Sequence, residues 1–235
     1  GGSYVVYPTK EPEQHYTGHN LAELDDSDWS VRLKIASPEK PEGVWVRLPD
    51  YSMVNDDKAD EVELALLDLK VDTIQDCTLL DARCILPEVE NLVSEYHELA
   101  DLIYDGNDLG FLLDEQGQGM PHFNEKFQAA LAYEKCTRLG AALDIAQNLR
   151  CYDFVPREDV ESFAEKFLES RGIEAGHVSL LSECMDRESY GRYLLAQQGY
   201  QQHAASGSFI RRNQLDFCYE RSQPPTPQAH FEMKL

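Results

Sequence analysis

The amino-acid sequence predicts an α+β fold with a highly acidic surface, and three observations support that prediction. Short runs in which hydrophobic and polar residues alternate are typical of strands, and runs with a repeat near 3.6 residues are typical of helices. Hydrophobic residues occupy 42% of the 235 positions, which is enough for a packed core. The chain carries 43 Asp and Glu against 21 Lys and Arg, a formal net charge of −22.

The first 86 residues contain three predicted strands and one predicted helix. Val31, Leu33 and Ile35 alternate with polar residues, which predicts a half-buried strand over 29–36. The other elements end at prolines or begin at acids that cap helices. They are a strand over 44–48 ended by Pro49, a helix over 58–69 capped by Asp56 or Asp57, and a strand over 78–86 ended by Pro87.

Helices dominate the rest of the chain, with short strands between them. Two of these helices are predicted to end at glycines that follow the last residue of a helical hydrophobic pattern, Gly106 and Gly172. Residues 105–110 are predicted to form a turn. The predicted helices cover 88–105, 122–134, 138–148 with Thr137 as N-cap, 158–171 and 187–197, and the predicted strands cover 149–155 and 208–219.

Charge and composition argue against several classes of function. A surface this negative repels phosphate groups, so direct binding to nucleic acid or to an anionic membrane is not expected. No apolar run approaches about 18 residues, so no transmembrane helix is predicted, and the start of the chain lacks a signal-peptide pattern. The six cysteines form no C-x-x-C pair, which favours free, mostly buried thiols in a reducing cytoplasm.

Most of the negative charge lies in one part of the chain. Residues 50–116 contain 19 acidic and 3 basic residues, a net charge of −16. The segments 1–49 and 117–235 each have a net charge of −3. Because the acidic segment also has strong hydrophobic periodicity, we expect it to be folded and not to form a disordered acidic tail.

The predicted helix over 88–105 separates hydrophobic from acidic residues. Leu92, Tyr96 and Leu99 share its hydrophobic side. Over roughly 30 Å the acidic side has one carboxylate every ~4–5 Å, comparable with one phosphate per ~3.4 Å along a DNA strand. The acidic residues on this side, or extending it, are Glu88, Glu90, Glu95, Glu98, Asp101, Asp105 and Asp108.

The predicted helix over 158–171 repeats this arrangement, with Glu158, Glu161, Glu165 and Glu169 on one side. Like charges four residues apart destabilise an isolated helix by about 0.2–0.5 kcal/mol per pair. Two interpretations of both helices stay open. The acidic side is either a solvated face that keeps the protein soluble, or a surface shaped to occupy a cationic groove.

The sequence contains no specific motif for catalysis or metal binding. Residues 105–110 superficially suggest a calcium loop, but Leu109 and Gln116 stand where an EF-hand requires an oxygen ligand and a glutamate. H-E-x-x-H, P-loop and G-x-S-x-G motifs are all absent. We therefore expect no catalytic residue, no metal and no cofactor. A Cys–His nucleophile, a carboxylate pair and a metal-dependent hydrolase stay open as alternatives.

Several segments resemble the ArdA-type antirestriction proteins. The family has a Tyr-Gly-Arg helix that leads to a Ser-Gly-x-Phe strand, and similar runs stand near the C-terminal end of this chain. The similarity covers about residues 29–217. It is carried by DRESYGRYL at 186–194, SGSFI at 206–210, Asn213, Asp153, the 163–172 helix, and the first strand pair at 31–37 and 43–49.

The resemblance implies a non-enzymatic DNA mimic, carried by mobile genetic elements, that occupies the DNA-binding groove of type I restriction-modification enzymes. It also implies an elongated chain of small mixed domains and a curved homodimer. This chain differs from the family by its greater length and by Arg211-Arg212 inside the matching strand. The alternative function is that of an acidic adaptor for another basic protein, such as a nucleoid or mobilisation protein.

The same reasoning predicts five segments along the chain. Those at the two ends lack hydrophobic periodicity, and the three between them correspond to the small domains. They are an extended leader (1–28), an N-terminal α+β domain (29–86), a central, mainly helical acidic domain (87–150), a C-terminal α+β domain (151–221) and a flexible tail (222–235).

Overall fold

The computed structural model describes residues 29–53, 59–218 and 220, so the predicted leader and tail lie outside the described residues. The structure is mixed α/β, about 52% helical and 18% strand, which confirms the predicted mixture of elements. The strands are β1 (Val31–Ser37), β2 (Lys40–Leu48), β3 (Thr78–Cys84), β4 (Tyr152–Val155), β5 (Gln201–Gln202) and β6 (Phe209–Arg212). The helices are α1 (Glu61–Leu69), α2 (Leu92–Glu95), α3 (Leu99–Gly119), α4 (Phe123–Glu134), α5 (Leu139–Gln147), α6 (Val160–Ser170), α7 (Ala175–Cys184) and α8 (Arg187–Gln197).

The first sheet is antiparallel, with β1 in the centre between β2 and β3. Leu33 of β1 pairs with Val46 of β2. Because alternate residues of a strand point to opposite faces, Val31, Leu33 and Ile35 all enter the core, and each is fully buried. The predicted strand pair is confirmed, although β2 begins four residues earlier than the sequence predicts.

Helix α1 packs beside this sheet and begins after Asp60. The Asp60 carboxylate accepts a hydrogen bond from the Glu63 N–H at 2.8 Å and so caps the helix. The predicted caps, Asp56 and Asp57, lie outside the described residues. Ser37 Oγ of β1 donates to the Leu69 carbonyl at 2.8 Å, which fixes the end of the helix against the sheet.

Helix α3 continues through Gly106 and Gly110, where the sequence predicts a helix end and a turn, so that prediction is wrong. A Cβ atom at Gly106 would lie 2.5 Å from Leu48 Cδ1, and one at Gly110 would overlap the ring of Pro49. The two glycines therefore allow the helix to pack directly against the end of β2. Ser30 Oγ also donates to the Gly106 carbonyl at 2.5 Å. Tertiary packing outweighs the low helix propensity of glycine here.

The predicted helix over 88–105 is interrupted between α2 and α3. Tyr96, which follows α2, has an extended backbone with φ −108° and ψ 126°, and α3 begins only at Leu99. The Tyr96 hydroxyl donates to Asp105 Oδ2 of α3 at 2.6 Å. Because of this interruption, Glu95, at the end of α2, does not share a helix face with the acidic residues of α3.

The second sheet is also antiparallel, with the order β4-β6-β5. Helices α6 and α8 pack against each other beside it, and a Cβ atom at Gly191 of α8 would overlap the carbonyl of Val160. β6 is shorter than the predicted strand, which extends to residue 219. The sequence pattern misses β5 and α7. Helix α7 buries Val178 but exposes Leu180 and Leu181, so it has no one-sided hydrophobic pattern.

One hydrophobic core extends from the first sheet to the second sheet. It is continuous across the boundary predicted at residues 86 and 87, because α3 packs on β1 and β2. The main core includes Trp29, Leu33, Leu109 of α3, Leu143 of α5 and Ile210 of β6, and a smaller core contains Val155, Val160, Leu195 and Phe209. The three-domain division stays a prediction.

Within the described ranges, no helix has the length and hydrophobicity needed to cross a membrane.

Candidate functional site

The eleven acidic residues predicted to form the site lie in four places in the structure. Some share one exposed surface, whereas the fold draws others into internal contacts. They are Glu88 and Glu90 before α2, Glu95 at the end of α2, Glu98, Asp101, Asp105 and Asp108 at and along α3, and Glu158, Glu161, Glu165 and Glu169 at and along α6.

The acidic stripe along α3 is present, and we call its residues Glu98, Asp101, Asp105 and Asp108 the α3 ridge. The three aspartates are spaced by four and three residues, so they lie on one side of the helix. Glu98 and Asp101 are exposed, and Asp105 and Asp108 are half-buried. Leu102 is fully buried on the other side of the helix and anchors the ridge to the core.

Tyr96 orients one carboxylate of the α3 ridge through its hydrogen bond to Asp105. Burial, the hydrogen bond to Asp105 and the negative charge of Asp105 all raise the pKa of Tyr96. The hydroxyl therefore remains protonated at neutral pH and continues to donate. The bond positions the Asp105 side chain.

Glu95 does not belong to the exposed acidic surface, and the prediction for this residue is wrong. Its side chain is 8% exposed. Its carboxylate accepts hydrogen bonds from the N–H groups of Leu139 and Gly140, at 3.0 and 3.3 Å, and Arg138 Nε lies 3.6 Å from it. Glu95 therefore caps α5, where the free N–H groups and the helix dipole favour a negative charge. The predicted cap Thr137 is also wrong, because Arg138 holds the N-cap position.

Glu88 and Glu90 flank the buried Val89 in the segment between β3 and α2. Glu90 is exposed, and its N–H donates to the Thr137 carbonyl at 3.2 Å. Glu88 is half-buried, and its Oε2 atom has no hydrogen-bond partner in the described part of the chain. The carboxylate of Glu90 is therefore accessible to a partner, whereas the carboxylate of Glu88 is only partly accessible.

The glutamates of α6 are partly neutralised by a cation from α8. Arg187 Nη1 lies 2.5 Å from Glu165 Oε1, and Arg187 Nη2 lies 3.4 Å from Glu161 Oε2. The sequence pattern misses this arginine, because it is 22 residues from Glu165 and the packing of α8 on α6 brings it there. The four glutamates of this helix therefore do not form a continuous exposed acidic side like the one that the sequence pattern indicates.

Glu158 and Glu169, near the two ends of α6, remain exposed. Glu158 Oε1 lies 3.6 Å from His122 Nδ1, which is also 3.6 Å from Glu125 Oε2. Beside Glu158 is an open cavity of about 250 Å³, lined by Arg157, Glu158, Glu161 and Glu188. This part of the surface is a mixture of carboxylates and cations and not a continuous negative ridge.

The arginines that distinguish β6 from the ArdA-type pattern both contact carboxylates. Arg211 Nε and Nη2 lie 3.0 and 2.9 Å from Asp153 Oδ2, and Arg211 Nη1 donates to the Gln198 carbonyl at 2.6 Å. Arg212 Nη1 lies 3.4 Å from Glu134 Oε1. The two guanidinium groups border an open polar cavity of about 650 Å³. They therefore add no unpaired positive charge to this end of the molecule.

The described residues contain no group of three or more His, Cys, Asp or Glu that could hold a metal ion. All six cysteines are free, and only Cys136 and Cys151 are buried, so the prediction of mostly buried thiols is wrong. Desolvation raises the pKa of the half-buried Cys84 to about 12, and it also raises the pKa of the buried Cys136. These two thiols are therefore protonated at neutral pH and are poor nucleophiles.

No protein-family model, curated protein or solved structure matches this chain.

Proposed function

We propose that this protein is an antirestriction protein that mimics duplex DNA and competes with DNA for the binding groove of type I restriction-modification enzymes. The observation that carries the proposal is the α3 ridge, which presents a row of carboxylates inside the segment of net charge −16. The resemblance of residues 29–217 to the ArdA-type family supports the same function. The mechanism is competition, so the protein needs no catalytic residue for it.

The α3 ridge has a charge spacing close to that of a nucleic-acid backbone. Asp101 and Asp108 are seven residues apart, roughly 10 Å along a helix that rises ~1.5 Å per residue. With Asp105 between them, the mean spacing is about 5 Å, against ~3.4 Å of axis per phosphate in one DNA strand. The chain contains no Lys or Arg from residue 84 to residue 125, so the acids of the row are not interleaved with cations along the sequence.

The proposed complex forms by the electrostatics that DNA uses. Lysines and arginines of the enzyme groove pair with the carboxylates of the ridge in place of phosphates, and the association is steered by the opposite charges. Because these contacts are exposed to solvent, added salt screens them, and we expect the affinity to fall steeply with ionic strength. Glu90 lies in the same acidic segment of the sequence and is also exposed.

Helix α6 contributes less to the proposed surface than its sequence suggests. Arg187 neutralises part of the charge of Glu161 and Glu165, so Glu158 and Glu169 are the glutamates of this helix most available to a partner. The proposed contact is therefore centred on the α3 ridge.

A gel-shift competition tests the proposal directly. A type I methyltransferase core is mixed with labelled duplex DNA, and the protein is added at increasing concentration and at two salt concentrations. We expect the protein to displace the DNA, and to do so less effectively at the higher salt concentration. A ternary complex that contains both the protein and the DNA would contradict the proposed mimicry.

Matched variants separate the ridge from general negative charge. The triple change E98Q/D101N/D108N removes three charges from the ridge, and the control E174Q/E183Q/E220Q removes three exposed charges elsewhere. We expect only the ridge variant to lose most of its competition. Equal losses in the two variants would show that total charge, and not the ridge, determines binding.

The acidic adaptor remains the second candidate, because the ridge would also fit another cationic surface. A pull-down from lysate at low and high salt identifies the partner and distinguishes a restriction enzyme from a nucleoid or mobilisation protein. The resemblance further leads us to propose a cytoplasmic homodimer of elongated protomers. A solution-scattering profile tests this shape, since a compact monomer has a much smaller radius of gyration.

A further inference from the structure

The outer face of the first sheet is basic, although the whole chain is strongly acidic. Arg32 of β1 lies directly opposite Arg47 of β2 and Arg83 of β3. We call these three residues the arginine row. Lys34 lies opposite Trp45 of β2, and it is on the same face because it is two residues from Arg32. Four cations, a tryptophan and one carboxylate, that of Asp81 opposite Lys34, therefore share one side of three strands.

The arginine row places like charges side by side. Directly opposite like charges destabilise a sheet, and the row contains two such pairs. Arg47 Nη2 lies 2.8 Å from Glu61, and Arg83 Nε lies 3.6 Å from Asp81. The central Arg32 has no carboxylate partner among residues 29–53, 59–218 and 220, and its buried Nε atom has no hydrogen-bond partner there. The face is therefore incompletely neutralised by the described residues.

Trp45 lies between two arginines of this row. The guanidinium carbons of Arg32 and Arg83 lie 5.2 and 5.7 Å from the centroid of its ring, within the range of cation–π contacts. The Trp45 side chain is nevertheless 38% exposed. Tryptophan and arginine are the residue types that most often dominate binding energy at interfaces, so this face has the composition of a binding surface.

The partner that best complements this face precedes β1 in the same chain. Residues 23–28 carry four carboxylates and no cation, and Trp29 follows them directly. The Trp29 ring centroid lies 5.8 Å from the guanidinium carbon of Arg32, so the chain enters the sheet beside the arginine row. Six residues reach up to about 20 Å, and the row crosses two strand spacings, roughly 10 Å.

Tethering favours this segment over an anion from solution. A separate anionic partner has to approach a molecule of net charge −22 and is repelled at long range. A segment of the same chain does not have to approach from solution against this repulsion. Its short tether keeps it near the face at an effective concentration in the millimolar range.

We propose that the arginine row and Trp45 bind the acidic segment of residues 23–28 of the same chain. Arg47 and Arg83 already contact Glu61 and Asp81, so the cations that remain for Glu23, Asp25, Asp26 and Asp28 are chiefly Arg32 and Lys34. The contact neutralises the positive face, so that a cationic partner meets a surface of uniform sign. This contact within the chain does not depend on which basic protein that partner is.

Quenching of tryptophan fluorescence by acrylamide tests the proposal in the full chain. The chain has two tryptophans, and because Trp29 is fully buried, the quenchable emission reports on Trp45. Acrylamide is uncharged, so the charge changes in the variants do not alter its attraction to the face. The variant D25N/D26N is compared with E11Q/E13Q, which removes the same number of charges from an earlier part of the chain.

We expect the quenching constant of Trp45 to increase about twofold in D25N/D26N and in the unchanged protein at 1 M NaCl, where the Debye length falls to about 3 Å. E11Q/E13Q should leave it unchanged at low salt. Equal quenching in all three proteins and at both salt concentrations would overturn the proposal. Quenching that decreases as protein concentration rises would assign the face to a second copy of the chain and overturn it as well.

Discussion

The carboxylate of Glu95 accepts a hydrogen bond from the N–H of Leu139, 3.0 Å away, although the two residues are 44 positions apart in the chain. Glu95 thus caps α5 from the end of α2 and joins the acidic segment to the buried core. The same residue type therefore has two roles in this region. Glu98, three residues later, is exposed and is available to a partner.

Removing the cap should destabilise the protein without affecting the proposed binding surface. We expect E95A to lower the free energy of unfolding by about 1–2 kcal/mol, since the first N–H groups of α5 lose their acceptor. The measurement is urea denaturation at pH 7. The control E98A removes an exposed carboxylate three residues away, and equal losses in E95A and E98A would contradict the capping role.

Replacing Asp50 should stabilise the protein at neutral pH. Asp50 is 4% exposed, and burial raises its pKa, with a further contribution from the Asp60 carboxyl group. Because the folded-state pKa is raised, the stabilisation is fully present below the unfolded-state pKa of about 3.9 and is lost as pH rises through the folded-state value. We therefore expect D50N to be more stable than the unchanged protein at pH 7, and the difference to shrink toward pH 4.

Denaturation curves at several pH values between 4 and 7.5 measure this difference. Asparagine retains an oxygen that accepts the hydrogen bonds now donated by the N–H and hydroxyl groups of Ser52, at 3.0 and 2.6 Å. The exposed change D72N serves as the control for loss of one negative charge. A stability difference between D50N and the unchanged protein that does not vary with pH would contradict the assignment.

A methyl group at Gly106 should destabilise the fold even though alanine favours helices. The added Cβ atom would lie 2.5 Å from Leu48 Cδ1 and 3.2 Å from Val31 Cβ, so the helix or the strands must move. We expect G106A to lower the free energy of unfolding by about 1–3 kcal/mol in urea denaturation. A Cβ atom at Gly176 of α7 would have open space around it, so the control G176A should be neutral or stabilising by up to about 1 kcal/mol.

Releasing the glutamates of α6 from Arg187 should strengthen binding to a cationic partner. R187Q removes the cation that lies 2.5 Å from Glu165 and 3.4 Å from Glu161. We expect the concentration needed to displace half of the DNA to fall about two- to threefold, as an exposed charge contact contributes roughly 0.5 kcal/mol. The control K135Q removes an exposed cation on the C-terminal end of α4, and it should change the competition less.

The sequence predicts those features of the fold that depend on neighbouring residues. The alternation of Val31, Leu33 and Ile35 correctly places the central strand, because strand periodicity is local. Helices α4, α5 and α8 lie within one or two residues of their predicted bounds for the same reason. The pattern fails at Gly106, where close packing against Leu48 requires a glycine and the local propensity alone indicates a helix end.

For the candidate site, the sequence correctly places Asp101 and Asp105 on one side of a helix, whereas Asp108 lies beyond the predicted helix end. It cannot identify the partners of acidic residues. Glu95 is part of a regular acidic pattern and is nevertheless buried, because the chain turns at Tyr96. Glu161 and Glu165 follow the same pattern and meet Arg187 from another helix. Neither contact can be predicted from the spacing of the acidic residues along the sequence.

By itself, the sequence determined the amount of negative charge, its concentration in residues 50–116, and the alternation and helical periods that build a mixed α/β chain. Only the tertiary structure decided which carboxylates remain available and which are consumed in capping or pairing. The physical reason is range: periodicity acts over a few residues, whereas a hydrogen bond or ion pair depends on which distant segments the core brings within about 3–4 Å of each other.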